Sequence, residues 1–210
     1  MEASAPVASH IQPEPPEWQP RALWVSGRLL CGSISFFFAS FVFAFFYLKA
    51  LNVNHAWTIG HVRPPQGLGA AVMVLFLLSA VVFRLGAKRA DAALYAGAVA
   101  VLMALAAIAV QFFGYTQLDF GAASGGYASV YYGWTSLYSV VALAGVYAIE
   151  IQVASLYRTQ REGVQREVRE GVPAQDVELL RAGVEATSFY WAFFVAFGVL
   201  AWIVLYLVGP

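Results

Sequence analysis

The sequence predicts an all-α fold, an integral membrane bundle of five transmembrane helices with the N-terminus in the cytoplasm and the C-terminus outside. Three observations lead there. Of 210 residues, 60% are hydrophobic and 11% charged, against roughly 45–50% and about 25% in an ordinary soluble domain. Mean hydropathy is +0.68, more apolar surface than so few charges can keep in water. Uncharged stretches then recur at 29–48, 64–83, 92–118, 120–149 and 186–210, each long enough to cross a hydrocarbon core, which needs about 20 residues. Finally, the cations segregate. With five spans, Arg21, Arg28, Arg84, Lys88, Arg89, Arg158, Arg161, Arg166, Arg169 and Arg181 share one side, and Lys49 and Arg63 the other. The basic side of a membrane protein is the cytoplasmic one.

Residues 1–20 contain five of the nine prolines and three glutamates. They lack the basic and apolar regions of a signal peptide, which predicts a short disordered cytoplasmic tail that stays on the side where it is made. Residues 21–210 form a single five-helix transmembrane domain. Its spans are expected at about 23–48, 66–85, 91–114, 128–153 and 186–208, the second opening after Arg63-Pro64-Pro65. Trp18 and Trp24 fall at the inner end of span 1. Trp57, Tyr127, Tyr131, Tyr132, Trp134, Trp202 and Tyr206 fall at outer ends, where an aromatic belt would place them.

Span 3 repeats Ala92, Ala96, Ala100 and Ala104, and span 4 repeats Ser139, Ala142, Gly145 and Ala148. Small residues on one helical face let backbones approach closely in lipid, and tight internal packing is the preferred reading of both stripes. The cytoplasmic loop 158–184 carries Glu162–Arg166 and Arg166–Glu170 pairs at i,i+4, the pattern of a short solvated helix. Pro173 is placed to open a second helical run into span 5.

Little in the chain carries chemistry. Equal numbers of acidic and basic residues leave no footprint for nucleic acid. A single cysteine, Cys31, excludes a disulfide framework built by this chain. The three histidines, His10, His55 and His61, lie outside the apolar runs, so no axial haem ligand stands inside the membrane. Arg28, Asp119, Glu150 and Glu185 sit at span ends rather than at the midplane, so no relay of ionisable groups crosses the bilayer. The glycine-rich stretch 121–126 follows no strand and carries no Lys, and it reads as an outer loop.

Three segments together resemble a known family. They are GSISFFFASFVFAFFYLK from Gly32 to Lys49, YASVYYGWTSLYSVVALAG from Tyr127 to Gly145, and EATSFYWAFFVAFGVLAW from Glu185 to Trp202. In order and spacing they are similar to subunit III of the haem-copper cytochrome c or quinol oxidases, in the five-helix bacterial form. Gly32-Ser33, Phe36-Phe37, Tyr47-Leu48 and then Lys49 look like that family's first conserved helix; Glu185, Tyr190, Trp191 and Phe193 look like its last. Five polar positions of the family are replaced. Ile34 stands where the family carries an intramembrane Glu, Tyr138 and Val141 stand for two histidines, and Ala192 and Val195 stand for His and Asp.

The resemblance implies a structural, cofactor-free subunit of a respiratory terminal oxidase, non-catalytic itself, in a bacterial inner membrane. Haem and copper would lie in partner subunits. Subunits I and II and structural phospholipid would be its partners, with the lipid held in a cleft between helices. Two alternatives stay open: a subunit-III-like accessory protein of a nitric oxide reductase, and a stand-alone small membrane transporter. A transporter is expected to show broken helices or midplane polar groups. For lipid, the expected residues are Arg84, Lys88, Arg89 and Arg158, clustered at inner span ends where they meet anionic head groups, with Glu185, Tyr190 and Trp191. No catalytic, cofactor or metal residue is expected.

Overall fold

The structure, a computed structural model, describes residues 18–58, 60, 62–89, 92–166 and 175–209. Most of the expected tail, together with 167–174 of the expected loop and Pro173 within it, lies outside the described residues. Five helices are long and apolar enough to span a membrane, and the described residues include no strand.

Helix α1 (Gln19–Leu51) begins with Pro20 in its first turn, where the missing N–H is no loss. It ends at Asn52, which adopts the left-handed conformation (φ 32°) and returns its N–H to the Leu48 carbonyl. The Asn52 side chain then accepts from the Trp57 N–H at 3.1 Å, folding the following loop back onto the bundle. That loop supplies the Ala56 and Trp57 carbonyls to the N–H groups of Gly126 and Tyr127, each at 2.9 Å. Orphan donors at the start of the fourth helix are thereby satisfied.

Helices α2 (Gln66–Gly86) and α3 (Ala93–Tyr115) form a tight antiparallel pair. Ala100 and Ala104 are fully buried, and Gly86 lies directly against Ala96. The alanine stripe of span 3 therefore packs within the chain. In span 4, Ser139 and Ala142 are buried and Gly145 faces Trp191, so close that a Cβ there would meet the indole at 2.6 Å. That stripe is internal as well.

Helix α4 (Gly126–Arg166) runs for 41 residues, about 60 Å, well past the expected end at 153. The first part of the segment expected as a separate surface helix, through Arg166, continues α4 instead, because 154–162 contains no glycine or proline to break it; residues 167–170 lie outside the described residues. Helix α5 (Gln175–Trp202) begins before the apolar span expected from 186, in keeping with a helical run leading into it, and its last turn widens into a π-helix over Ile203–Val208. Within the bundle α5 is central. It packs against α1, α2 and α4, while α3 lies against α2 and α4.

Aromatic rings fill the centre. Tyr138 stacks on Phe194 at 4.3 Å and 16°, Trp191 stacks on Phe194 at 5.4 Å, and Phe76 meets Tyr138 edge-on. A short polar link threads this core: Trp191 Nε1 donates to Ser79 Oγ at 3.0 Å, and Ser79 donates to the Ala100 carbonyl at 2.8 Å. Side-chain bonds of this kind between membrane helices contribute about 0.6 kcal/mol on average, and they fix the register of α5, α2 and α3 together.

Candidate functional site

The two ends of the bundle differ in chemistry, and the candidate site lies at the end bearing Arg28 and Arg84. There α1 and α5 part around a groove of about 520 Å³, lined by Arg21, Trp24 and Arg28 from α1, Arg84 from α2, and Glu185 and Phe189 from α5. On α1 the residues at 21, 24, 25 and 28 recur on one helical face; on α5 those at 182, 185, 186 and 189 do the same. Gly27 lets the two helices come close beside the groove, with the Ala186 backbone carbonyl 3.4 Å from where a Cβ would stand.

The guanidiniums are held by rings and neutral acceptors. Arg28 lies 3.3 Å over the Trp24 ring and 4.6 Å over the Phe189 ring, and donates to the Trp24 carbonyl at 3.1 Å. Arg84 lies 5.9 Å from the same Phe189 ring and donates to Ser188 Oγ at 2.9 Å; Ser188, fully buried, passes its own proton to the Glu185 carbonyl. Phe189 is thus flanked by two cations. Among the described residues neither arginine has a carboxylate within ion-pair distance. Three positive charges and one negative line the groove, so it carries a net positive charge. Each guanidinium has five N–H donors in a planar fork matched to a phosphate or carboxylate, and the bonds described leave several of them free.

Of the residues expected to bind lipid, the fold brings Arg84 and Glu185 together in this groove. Lys88 and Arg89 are exposed in the turn after α2, and Arg158 is exposed on α4; none of the three lines it. Tyr190 and Trp191 are buried in the aromatic core, on faces of α5 turned away from Glu185. Sequence reasoning missed Arg21, Trp24, Ser188 and Phe189, and treated Arg28 as an isolated end-of-helix cation. The i, i+3, i+4, i+7 recurrence on α1 and α5 was the available signal; the adjacency of α1, α2 and α5 was not visible.

At the opposite end the tyrosine hydroxyls and the Lys49 ammonium are spent on bonds within the chain. Tyr127 donates to the Leu205 carbonyl at 2.6 Å, the Tyr131 and Tyr206 hydroxyls meet at 2.9 Å, and Lys49 Nζ donates to the carbonyls of Val208 and Gly209 at 3.1 and 2.8 Å. Tyr127, Tyr131 and Trp134, expected in a lipid-facing belt, are 0%, 1% and 0% exposed. The two tyrosines turn inward because their hydroxyl partners lie inside the bundle, and Trp134 stacks on Phe41 at 5.7 Å.

Among the described residues no three His, Cys, Asp or Glu side chains gather as metal ligands. No family model matches the chain, and no curated protein is similar enough to count as a match.

Proposed function

We propose that this chain is a cofactor-free, non-catalytic subunit of a respiratory haem-copper oxidase, of the subunit III type, and that it stabilises subunits I and II while holding structural phospholipid. Electrons would reach oxygen through haem and copper in those partners. The observation that carries this reading is the series of three family-like segments in α1, α4 and α5, the helices that pack on one another around Phe38, Tyr138 and Phe194.

The arginine groove supports the lipid part of the proposal. Arg21, Arg28 and Arg84 would take the phosphate of an anionic phospholipid. Trp24 and Phe189 offer apolar surface to its glycerol region, and the neighbouring faces of α1 and α5 can carry acyl chain. Lys88 and Arg89 follow α2 beside this groove, and the excess of cations on one side of the five spans supports a cytoplasmic orientation for it under the positive-inside rule, in a bacterial inner membrane if the oxidase reading holds.

The test is purification of the tagged chain from its native membrane in mild detergent, followed by an optical spectrum and mass spectrometry of what comes with it. Haem absorbance with large, histidine-rich membrane subunits is the expected result. The haem type would separate oxygen from nitric oxide reduction. A colourless, self-associated chain would overturn the respiratory reading and favour a transporter.

A further inference from the structure

Three buried indole N–H groups, those of Trp57, Trp134 and Trp202, have no hydrogen-bond acceptor among the described residues. Trp57 belongs to the loop after α1. The other two line one chamber, bordered by residues of α2, α3, α4 and α5 and partly open, towards the tyrosine-bearing end. An unpaired donor at this depth is expensive, because a polar group removed from water without a partner loses its hydrogen bonds outright and lipid offers no acceptor in their place. Trp134 is fully buried, so its N–H has no route to bulk solvent past its own ring.

The chamber supplies what the two indoles lack. Its volume is about 40 Å³, and a single water needs roughly 10–15 Å³ of such space and two to four polar partners. Gln111 and Ser139, two of the four buried polar residues among those described, also line it. Ser139 Oγ donates to the Thr135 carbonyl at 2.8 Å, which leaves its lone pairs free to accept. Tyr138 reaches the Phe194 carbonyl only at 3.4 Å, so its hydroxyl oxygen is barely engaged.

Backbone geometry keeps the space open. Gly69 and Gly198 stand on two of its walls, and a Cβ at either would collide with Tyr206 or Tyr138 respectively. Where α5 changes to a π-helix, just after Trp202, the wider turn presents Trp202 and Tyr206 as a stacked pair at 6.1 Å and 21°, both on the chamber. π-helical turns are rare and frequently fall at functional sites.

We infer that this chamber is an internal hydration site that binds about two water molecules, which accept from the Trp134 and Trp202 indoles and donate to Gln111 and Ser139. Tyr206, tied to Tyr131, separates it from the tyrosine-bearing surface. This inference is independent of the oxidase reading.

The experiment is solid-state NMR of the full chain, ¹⁵N-labelled at tryptophan, in lipid bilayers, reading magnetisation transfer from water to each indole proton. Trp134→Phe and Trp202→Phe assign two of the signals, and Trp191→Phe assigns the internal control, whose N–H already donates to Ser79. Transfer to Trp134 and Trp202 several-fold stronger than to Trp191 is expected. Two indoles as silent as Trp191 would overturn the inference. Ala201→Leu places a larger side chain on the chamber wall and should abolish the transfer. If transfer persists in a folded Ala201→Leu protein, the water lies elsewhere, which also overturns it; if that variant does not fold, the wild-type comparison decides alone.

Discussion

Helices α1 and α5 meet at both ends of the bundle, and the two meetings are built on opposite lines. At one end Lys49 of α1 gives two hydrogen bonds to the final carbonyls of α5, while Tyr127 and the Tyr131–Tyr206 pair close the gap with bonds inside the chain. A cation there serves the C-terminal end of a helix, where the helix dipole favours it. At the other end Arg28 and Arg84 stack over Phe189 and bond only to a carbonyl and a hydroxyl. The first end consumes its charge and its tyrosine hydroxyls in folding; the second keeps unspent charge in an open groove. Stability should therefore respond to substitutions at the tyrosine end, and anion binding to substitutions at the arginine end.

Removing Arg21, Arg28 and Arg84 together is the sharpest way to break this contrast. Each basic side chain near an anionic membrane surface contributes about 1 kcal/mol, so the triple Arg→Gln variant should hold anionic phospholipid about 100-fold more weakly. Native mass spectrometry of the detergent-purified chain would read this as near-complete loss of copurifying anionic lipid. The corresponding Lys88→Gln, Arg89→Gln, Arg158→Gln variant should keep most of its lipid, because those side chains stand outside the groove. Equal losses in the two variants would mean that general surface charge, not the groove, retains the lipid.

Lys49→Met tests the opposite end. It removes a charged donor from two carbonyls, and bonds to charged groups contribute about 1.5–3 kcal/mol. The expected outcome is a destabilisation of roughly 2 kcal/mol in thermal unfolding, with lipid retention unchanged. Lost lipid without lost stability would reverse the roles assigned to the two ends.

How much of this was legible in the sequence follows from which forces act locally. Five apolar runs and the segregation of cations are properties of single segments, and hydropathy reads them directly. The inward packing of Ala100 and Ala104 follows from the same logic, since a small-residue face is useful only against a close neighbour. Helix ends were less visible. The polar stretch after residue 153 leaves the hydrocarbon but stays helical, because hydropathy measures solvent preference and not backbone conformation. The groove was half legible. Helical spacing on α5 separates Glu185 and Phe189 from Tyr190 and Trp191, which sit roughly 100° or more around the helix. The meeting of Arg28 with Arg84 over one ring depends on α1, α2 and α5 being neighbours, which no single segment encodes. The chamber was not legible at all, since an indole without an acceptor is a property of the packed state.

Tyr206→Phe asks whether the closed end depends on its hydroxyl pair or on its rings. The substitution removes one bond, to Tyr131 at 2.9 Å, while keeping the stack on Trp202. Double-mutant measurements put side-chain bonds within a membrane bundle at about 0.6 kcal/mol, so the melting temperature should fall only slightly. A large fall would make the hydroxyl pair, rather than the aromatic packing, the principal closure of that end.

Salt gives the smallest effect and separates the ends without any substitution. Raising ionic strength from 0.15 M to 1 M shortens the screening length from about 8 Å to about 3 Å. Arg21 is exposed and Arg28 and Arg84 are half-buried, so an anion in their groove is partly reached by counterions. Lys49 meets its two carbonyls at direct hydrogen-bond distance, where no counterion can intervene. Retained anionic lipid should therefore decline gradually across a salt titration while the unfolding temperature of the lipid-depleted chain stays level. If the unfolding temperature falls in step with the lipid lost, charge at the arginine end is holding the bundle together, and the division of labour between the two ends fails.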